Sequence, residues 1–203
     1  MTEYRILLKD IPFELVTPAD EGIFTVVDEV GETLEENAIL KATALAGESG
    51  LLSLADDSGL EVDALDGEPG VLSARYAGQD ATDKDRVNLL LSRMKDMPWE
   101  KRTARFRCVI AWTPVLLDEV ENASPVCYAD DLEMQTASFE GTCEGRIDFA
   151  PRGTNGFGYD PLFVPDGYTE SFAELGEAVK NRLSHRAKAL AKLKAYLTNR
   201  PSD

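Results

Sequence analysis

Apolar and polar positions change period several times along the chain, and each change marks an element. Glu3 to Lys9 reads as the tail of a short helix, broken by Asp10-Ile11-Pro12. Phe13-Glu14-Leu15-Val16 reads as a strand, and Phe24-Thr25-Val26-Val27 as a second short one within the acidic loop 20–31. Thr33-Leu34-Glu35-Glu36 has the form of a capping box, in which Thr33 accepts from the Glu36 amide and Glu36 reaches back. The helix behind it runs to about Ser49 and stops at Gly50, with Leu34, Ala38, Ala42 and Leu45 on one stripe.

The next stretch, Leu54-Ala55-Asp56-Asp57-Ser58-Gly59-Leu60, opens as a buried strand and stops at two acids, a hydroxyl and a glycine. A further short strand, Leu60-Glu61-Val62-Asp63, follows. Adjacent acids at the end of a buried strand repel each other unless a cation or hydrogen-bond donors lie nearby. Such a placement suits a divalent ion with oxygen ligands or a base that activates water. It equally suits an Asx-type turn capped by Asp57 or Ser58.

Residues 64–78, rich in glycine, proline and small side chains, read as a structured loop holding Pro69, Arg75 and Tyr76. Thr82 or Asp83 caps a helix that turns Val87, Leu90, Leu91 and Met94 inward and ends before Pro98. Arg102 to Thr113 alternates as a strand with one polar face. Strands are also expected over 126–129, 132–140 and 145–148, with an acidic hairpin tip over 117–125, and this crowding points to an antiparallel portion of the sheet. Gly156-Phe157-Gly158-Tyr159-Asp160-Pro161 then places glycines around an aromatic ring. That pattern fits close approach of a ligand with the ring free to stack, or a glycine-rich turn with Phe157 in the core. Leu162-Phe163-Val164 reads as a strand. Phe172 to Leu183 reads as a helix carrying Lys180, and Ser184 as the N-cap of a last helix with Ala187, Leu190, Leu193 and Leu197 inward. His185 and Arg186, in its first turn, oppose the helix dipole. They are either solvated bases or the place where an anion or acceptor-rich ligand docks.

Composition narrows the chemistry. At 203 residues and 43% hydrophobic, the chain fits one sizeable domain or two lobes sharing a core. A net charge of −16 disfavours nucleic-acid polymers and anionic membranes as partners. A small polyanion remains compatible if a few bases and a metal converge locally. With one histidine, a multi-histidine zinc site is excluded, and the cysteines lack zinc spacing. Any metal is therefore a hard ion held by carboxylates, magnesium or manganese foremost. Three cysteines (Cys108, Cys127, Cys143) without a Cys-x-x-Cys pair, and no secretion signal, point to a reduced, cytoplasmic setting.

Five stretches occur together and in order: Glu36-Asn37-Ala38-Ile39-Leu40-Lys41-Ala42, Ala55-Asp56-Asp57-Ser58-Gly59-Leu60, Pro69-Gly70 through Ser73-Ala74-Arg75-Tyr76, Gly156 through Pro161, and Ser184-His185-Arg186. Together they resemble the inosine triphosphate pyrophosphatase family over about residues 3–197. The resemblance implies an α/β fold: a twisted mixed sheet with helices, in two lobes around a cleft. It implies hydrolysis of non-canonical purine nucleoside triphosphates (ITP, dITP, XTP) to monophosphate and pyrophosphate, with magnesium, in a homodimer. By position, Asp57 matches the catalytic base and a metal partner, Glu29 the second metal carboxylate, and Asp56 a supporting acid. Lys41 and Lys180 match phosphate-binding lysines, and Ser58 and Arg75 belong to the substrate-binding stretches. Phe157, Gly158, Tyr159 and Asp160 match the base-binding loop, and Ser184, His185 and Arg186 the segment that reads the purine edge.

The family's opening strand and Thr-Gly-Asn-x-x-Lys loop have no counterpart in this sequence. A catalytically impaired nucleotide-binding protein of the same fold is the alternative expectation. A haloacid-dehalogenase-like phosphatase is a third, but Asp56-Asp57-Ser58 lacks its Asp-x-Asp nucleophile.

Overall fold

The computed structural model describes residues 2–115 and 135–199. In chain order these form α1 (Thr2–Leu7), α2 (Leu34–Ser49), β1 (Ser53–Val62), α3 (Asp83–Arg93), β2 (Thr103–Thr113), β3 (Ala137–Ile147), β4 (Phe163–Pro165), α4 (Phe172–Leu183) and α5 (His185–Asn199). The strands make a four-stranded sheet in the order β1-β2-β3-β4. Its last pair is antiparallel, with Gly145 opposite Pro165 and Ile147 opposite Phe163.

The helix boundaries follow their caps. Thr33 accepts from the Glu36 amide at 3.1 Å, but Glu36 Oε2 takes the Glu32 amide at 2.6 Å, so the return arm of the expected capping box closes one residue early. Gly50 ends α2 at φ 64°. The buried stripe of α2 passes through Asn37 and Ala46 as well as Leu34, Ala38 and Ala42, while Leu45 is only half-buried. Thr82 and Asp85 close a full capping box at the start of α3. Ser184 serves two helices: its amide donates to Lys180 O at the end of α4, and its hydroxyl accepts from Ala187 N in α5.

Several expected strands are corrected. Residues 13–16 and 24–27 form no strand, and Phe24 and Val26 stay largely exposed. The turn at Asp56-Asp57-Ser58 is absent, because one strand, β1, runs straight through from Ser53 to Val62. Residues 145–147 continue β3 instead of starting a new strand. The strand expected over 126–129, the hairpin tip over 117–125 and the first residues of 132–140 lie outside the described residues. The loop 64–78 contains two short 3-10 turns, Asp63–Leu65 and Gly70–Arg75.

The chain divides into two compact units, Met1–Asp57 with Val109–Glu140 and Ala189–Asp203, and Ser58–Cys108 with Gly141–Lys188. In the first, Val109 to Trp112 of β2 are buried and both Trp112 and Phe139 pack on Tyr196, at 5.8 and 5.2 Å between ring centroids.

The second unit is built on Leu60, Val87, Leu90, Met94, Phe106, Ile147, Leu162, Phe163 and Phe172. Phe106 and Phe172 pack on Phe163 at 4.6 and 5.2 Å. Each such ring contributes about 1.5–3 kcal/mol by leaving water. Arg102, just before β2, is 1% exposed. Its guanidinium donates to the carbonyls of Met94, Ile147 and Asp148 at 2.7–2.9 Å, which joins the end of α3 to the end of β3. Gly59 is required here: a Cβ would lie 2.4 Å from Gly70 O, where the 69–76 segment crosses β1. Ser73 fixes that crossing by accepting from Leu60 N at 2.9 Å.

Candidate active site

Side chains alternate across a strand, so an uninterrupted β1 sends Asp56 and Asp57 to opposite faces. The strand thereby resolves the repulsion between neighbouring acids. Asp56 accepts from the Tyr4 hydroxyl at 2.8 Å. Asp57 is buried, 8% exposed, and faces α2.

Two residues of α2, four apart and so on one face, meet it. Lys41 Nζ donates to Asp57 Oδ1 at 2.9 Å and to Glu29 Oε1 at 3.1 Å. Asn37 Nδ2 donates to Asp57 Oδ2 at 3.2 Å, while Asn37 Oδ1 accepts from Gly31 N at 2.8 Å. Glu29 comes from the extended segment before α2, and Asn37 pins that segment through Gly31. A Cβ on Gly31 would lie 2.7 Å from Asn37 Oδ1, so the approach is as close as glycine allows. Asn37 is the residue that sequence reasoning missed. Its signal was a fully buried amide on an otherwise apolar helical stripe.

One ammonium shared by two carboxylates makes the electrostatics unequal. Burial draws the Lys41 pKa down, but Asp57 and Glu29 outweigh it, and the ammonium is held above its ordinary value. Asp57 has only part of that cation. Burial and the nearby Glu29 charge push its carboxyl above the usual range despite Lys41 and Asn37.

Among the described residues no three acid, histidine or cysteine side chains gather as a metal site. Glu29 and Asp57 nevertheless converge on a single cationic point, Lys41 Nζ. A pair of carboxylates converging on one point suits a hard divalent ion.

A second cluster forms in the other unit. Phe157 is 63% exposed, so the core alternative for its ring does not hold. Lys180 Nζ lies 4.5 Å from the Phe157 ring centroid and pairs with Asp160 Oδ2. The same Asp160 oxygen accepts from Phe157 N at 3.0 Å, and a Cβ on Gly156 would lie 2.1 Å from it. Tyr159 is buried, its hydroxyl donating to Ser73 O at 3.1 Å. Lys180, expected to act on phosphate, contacts the aromatic loop through Phe157 and Asp160.

His185 is not a solvated base: it is 6% exposed and its ring stacks on Phe106 at 4.9 Å and 14°. Arg186 beside it is half-buried. Ser58 is half-buried on the Asp56 face of β1, and Arg75 ends the 3-10 turn after Pro69. An apolar hollow of 420 Å³ in the first unit touches Asp56 but none of Glu29, Lys41 or Asp57, so it lies apart from the charged cluster.

Fold and site together define an α/β protein with a carboxylate–lysine cluster on its first strand and a glycine-framed aromatic loop. The model of the Ham1 family matches residues 1–196, and the chain belongs to that family. It is 44% identical over 197 residues to a dITP/XTP pyrophosphatase of Geobacter sulfurreducens, covering 97% of this chain and 90% of that one. A dITP/XTP pyrophosphatase of Vibrio cholerae is 46% identical over 193 residues, covering 94% and 88%. Among solved structures, a HAM1 protein from Coxiella burnetii superposes with a TM-score of 0.83 at 37% identity, covering 98% of this chain and 93% of that one.

Proposed function

We propose that this protein hydrolyses non-canonical purine nucleoside triphosphates (ITP, dITP and XTP) to the monophosphate and pyrophosphate, clearing them from the nucleotide pool. The observation that carries the reading is the buried Asp57 carboxylate held with Glu29 around one cation, in a chain whose relatives are named dITP/XTP pyrophosphatases.

Asp57 orients a water and takes its proton as the water oxygen bonds to the α-phosphorus. The bond from that phosphorus to the bridging oxygen breaks, and pyrophosphate leaves with the bonding electrons. Charge grows on phosphate oxygens during this step, and Lys41 is positioned to stabilise it. Glu29 and Asp57 would hold magnesium (or manganese), which supplies further positive charge at the phosphates when bound. Asp56, on the other face of β1, supports the strand through Tyr4.

The Phe157 ring offers a stacking surface for the base, framed by Gly158, Tyr159 and Asp160 and ordered by Lys180. Arg186 carries only donors. It matches the six-oxo group of hypoxanthine or xanthine and meets the six-amino group of adenine donor to donor. That mismatch costs on the order of 1–3 kcal/mol, a discrimination of tenfold or more. Ser184 and His185 hold Arg186 at the start of α5, and Ser58 and Arg75 complete the substrate contacts. The enzyme acts as a homodimer in the cytoplasm.

The test is product analysis with ITP and magnesium. Release of pyrophosphate and IMP supports the reading. Orthophosphate as the first product, or no product at all, refutes it.

A further inference from the structure

The aromatic loop is intrinsically soft: Gly153, Gly156 and Gly158 all have positive φ, at 80°, 77° and 60°. Around the ring its hydrogen bonds are local, Asp160 N to Phe157 O at 3.2 Å and Phe157 N to Asp160 Oδ2 at 3.0 Å, while its flanks are tied to other elements by Asn155 N to Ala173 O at 3.3 Å and the Tyr159 hydroxyl to Ser73 O at 3.1 Å. A bond from a different element reaches its tip. Gly158 N donates to Asp83 Oδ2 at 2.8 Å, from the first residue of α3.

The other oxygen of Asp83 pairs with Arg86. Arg86 in turn donates to Ala81 O at 2.7 Å and to Ala74 O at 2.8 Å, in the segment that crosses β1. The two carboxylate oxygens therefore have separate tasks. One holds the loop, and the other fixes the carboxylate to the 69–76 segment. Asp83 is an exposed acid, its side chain 48% accessible, yet both its oxygens are engaged, and the Gly158 amide is the leading reason its carboxyl titrates below its ordinary range.

We propose that Asp83, buttressed by Arg86, is a positioning residue that sets the Phe157 ring for stacking on the purine. This rests on the reading of Phe157 as the base platform. Asp83 does not touch substrate. It acts through the Gly158 amide, one residue from the ring, so its removal costs base binding and leaves the phosphate chemistry intact.

The experiment compares ITP hydrolysis, calorimetric binding of IMP and thermal unfolding for the wild type, Asp83→Ala, Asp83→Asn and Phe157→Ala. Loss of one charge-assisted hydrogen bond should raise KM for ITP and weaken IMP about tenfold in Asp83→Ala, with kcat within about twofold. Asp83→Asn keeps an acceptor for the Gly158 amide and should stay within about threefold of wild type in KM. Should Asp83→Ala not fold, Asp83→Ser, too short to reach Gly158 but suited to a helix start, carries the same expectation.

Unchanged KM and IMP affinity in the alanine or serine variant overturns the inference. So does a fall in kcat at constant KM, or an asparagine variant as impaired as the alanine one. If Phe157→Ala weakens IMP and Asp83→Ala does not, only the positioning role fails. If Phe157→Ala leaves IMP binding unaltered, the base-platform reading itself fails.

Discussion

Lys41 reaches Asp57 at 2.9 Å from a helix that begins nineteen residues earlier in sequence than β1, and the same ammonium holds Glu29 at 3.1 Å. This sharing makes Asp57 an incompletely compensated buried acid. A group in that state is a reservoir of reactivity and a cost to the fold.

Asp57→Asn should therefore separate activity from stability. Turnover of ITP should fall by about 10²–10⁴, as for loss of a general base. The carboxyl of Asp57 is raised in the folded protein, so the fold binds its proton more tightly than the unfolded chain does. Ionisation above the unfolded value consequently disfavours the fold, and removing the charge should leave the thermal midpoint equal to or above wild type. Kinetics beside calorimetric unfolding at pH 7 would check both. An active variant would remove Asp57 from the chemistry.

Asn37 spans from Gly31 to Asp57, so its truncation should be felt at both ends. Asn37→Ala leaves a buried amide N–H and a carboxylate oxygen without this partner, at a cost of about 1–3 kcal/mol. Asn37→Asp should be worse, because it sets a second buried acid against Asp57. Denaturant unfolding would rank the three proteins. An aspartate variant as stable as wild type would contradict the geometry.

Alkaline pH should unfold the protein progressively above about pH 9. Burial pushes the Cys143 thiol up to about 11 from 9.0, and burial raises the Tyr159 hydroxyl as well. Both groups favour the neutral form in the fold. Their contribution is fully present below the unfolded values and is lost as pH rises through the interval to the folded values. Unfolding midpoints between pH 8 and 11 should decline, and Cys143→Ala should flatten the first part of that decline. The same burial predicts that Cys143 resists alkylation in the folded state at pH 8.

Caps and stripes were legible because they are local. Thr33, Thr82 and Ser184 each satisfy the amide three residues ahead, and that chemistry is written in nearby letters. Glu29, Lys41 and Asp57 were singled out through the family resemblance, and the structure brings the three together. The continuity of β1 was not legible. Asp56-Asp57-Ser58-Gly59 has the composition of a turn, and strand pairing across the sheet overrode that local preference.

Sequence by itself determined the helices, the excess of negative charge and the kinds of side chain available for phosphate chemistry. Tertiary structure decided which of them meet. It turned Asp56 away from Asp57, recruited Asn37 from an apolar stripe, buried His185 against Phe106 and tied Gly158 to Asp83. The physical reason is range: a cap or a stripe is settled within a few residues, whereas burial and pairing depend on backbone brought in from distant parts of the chain.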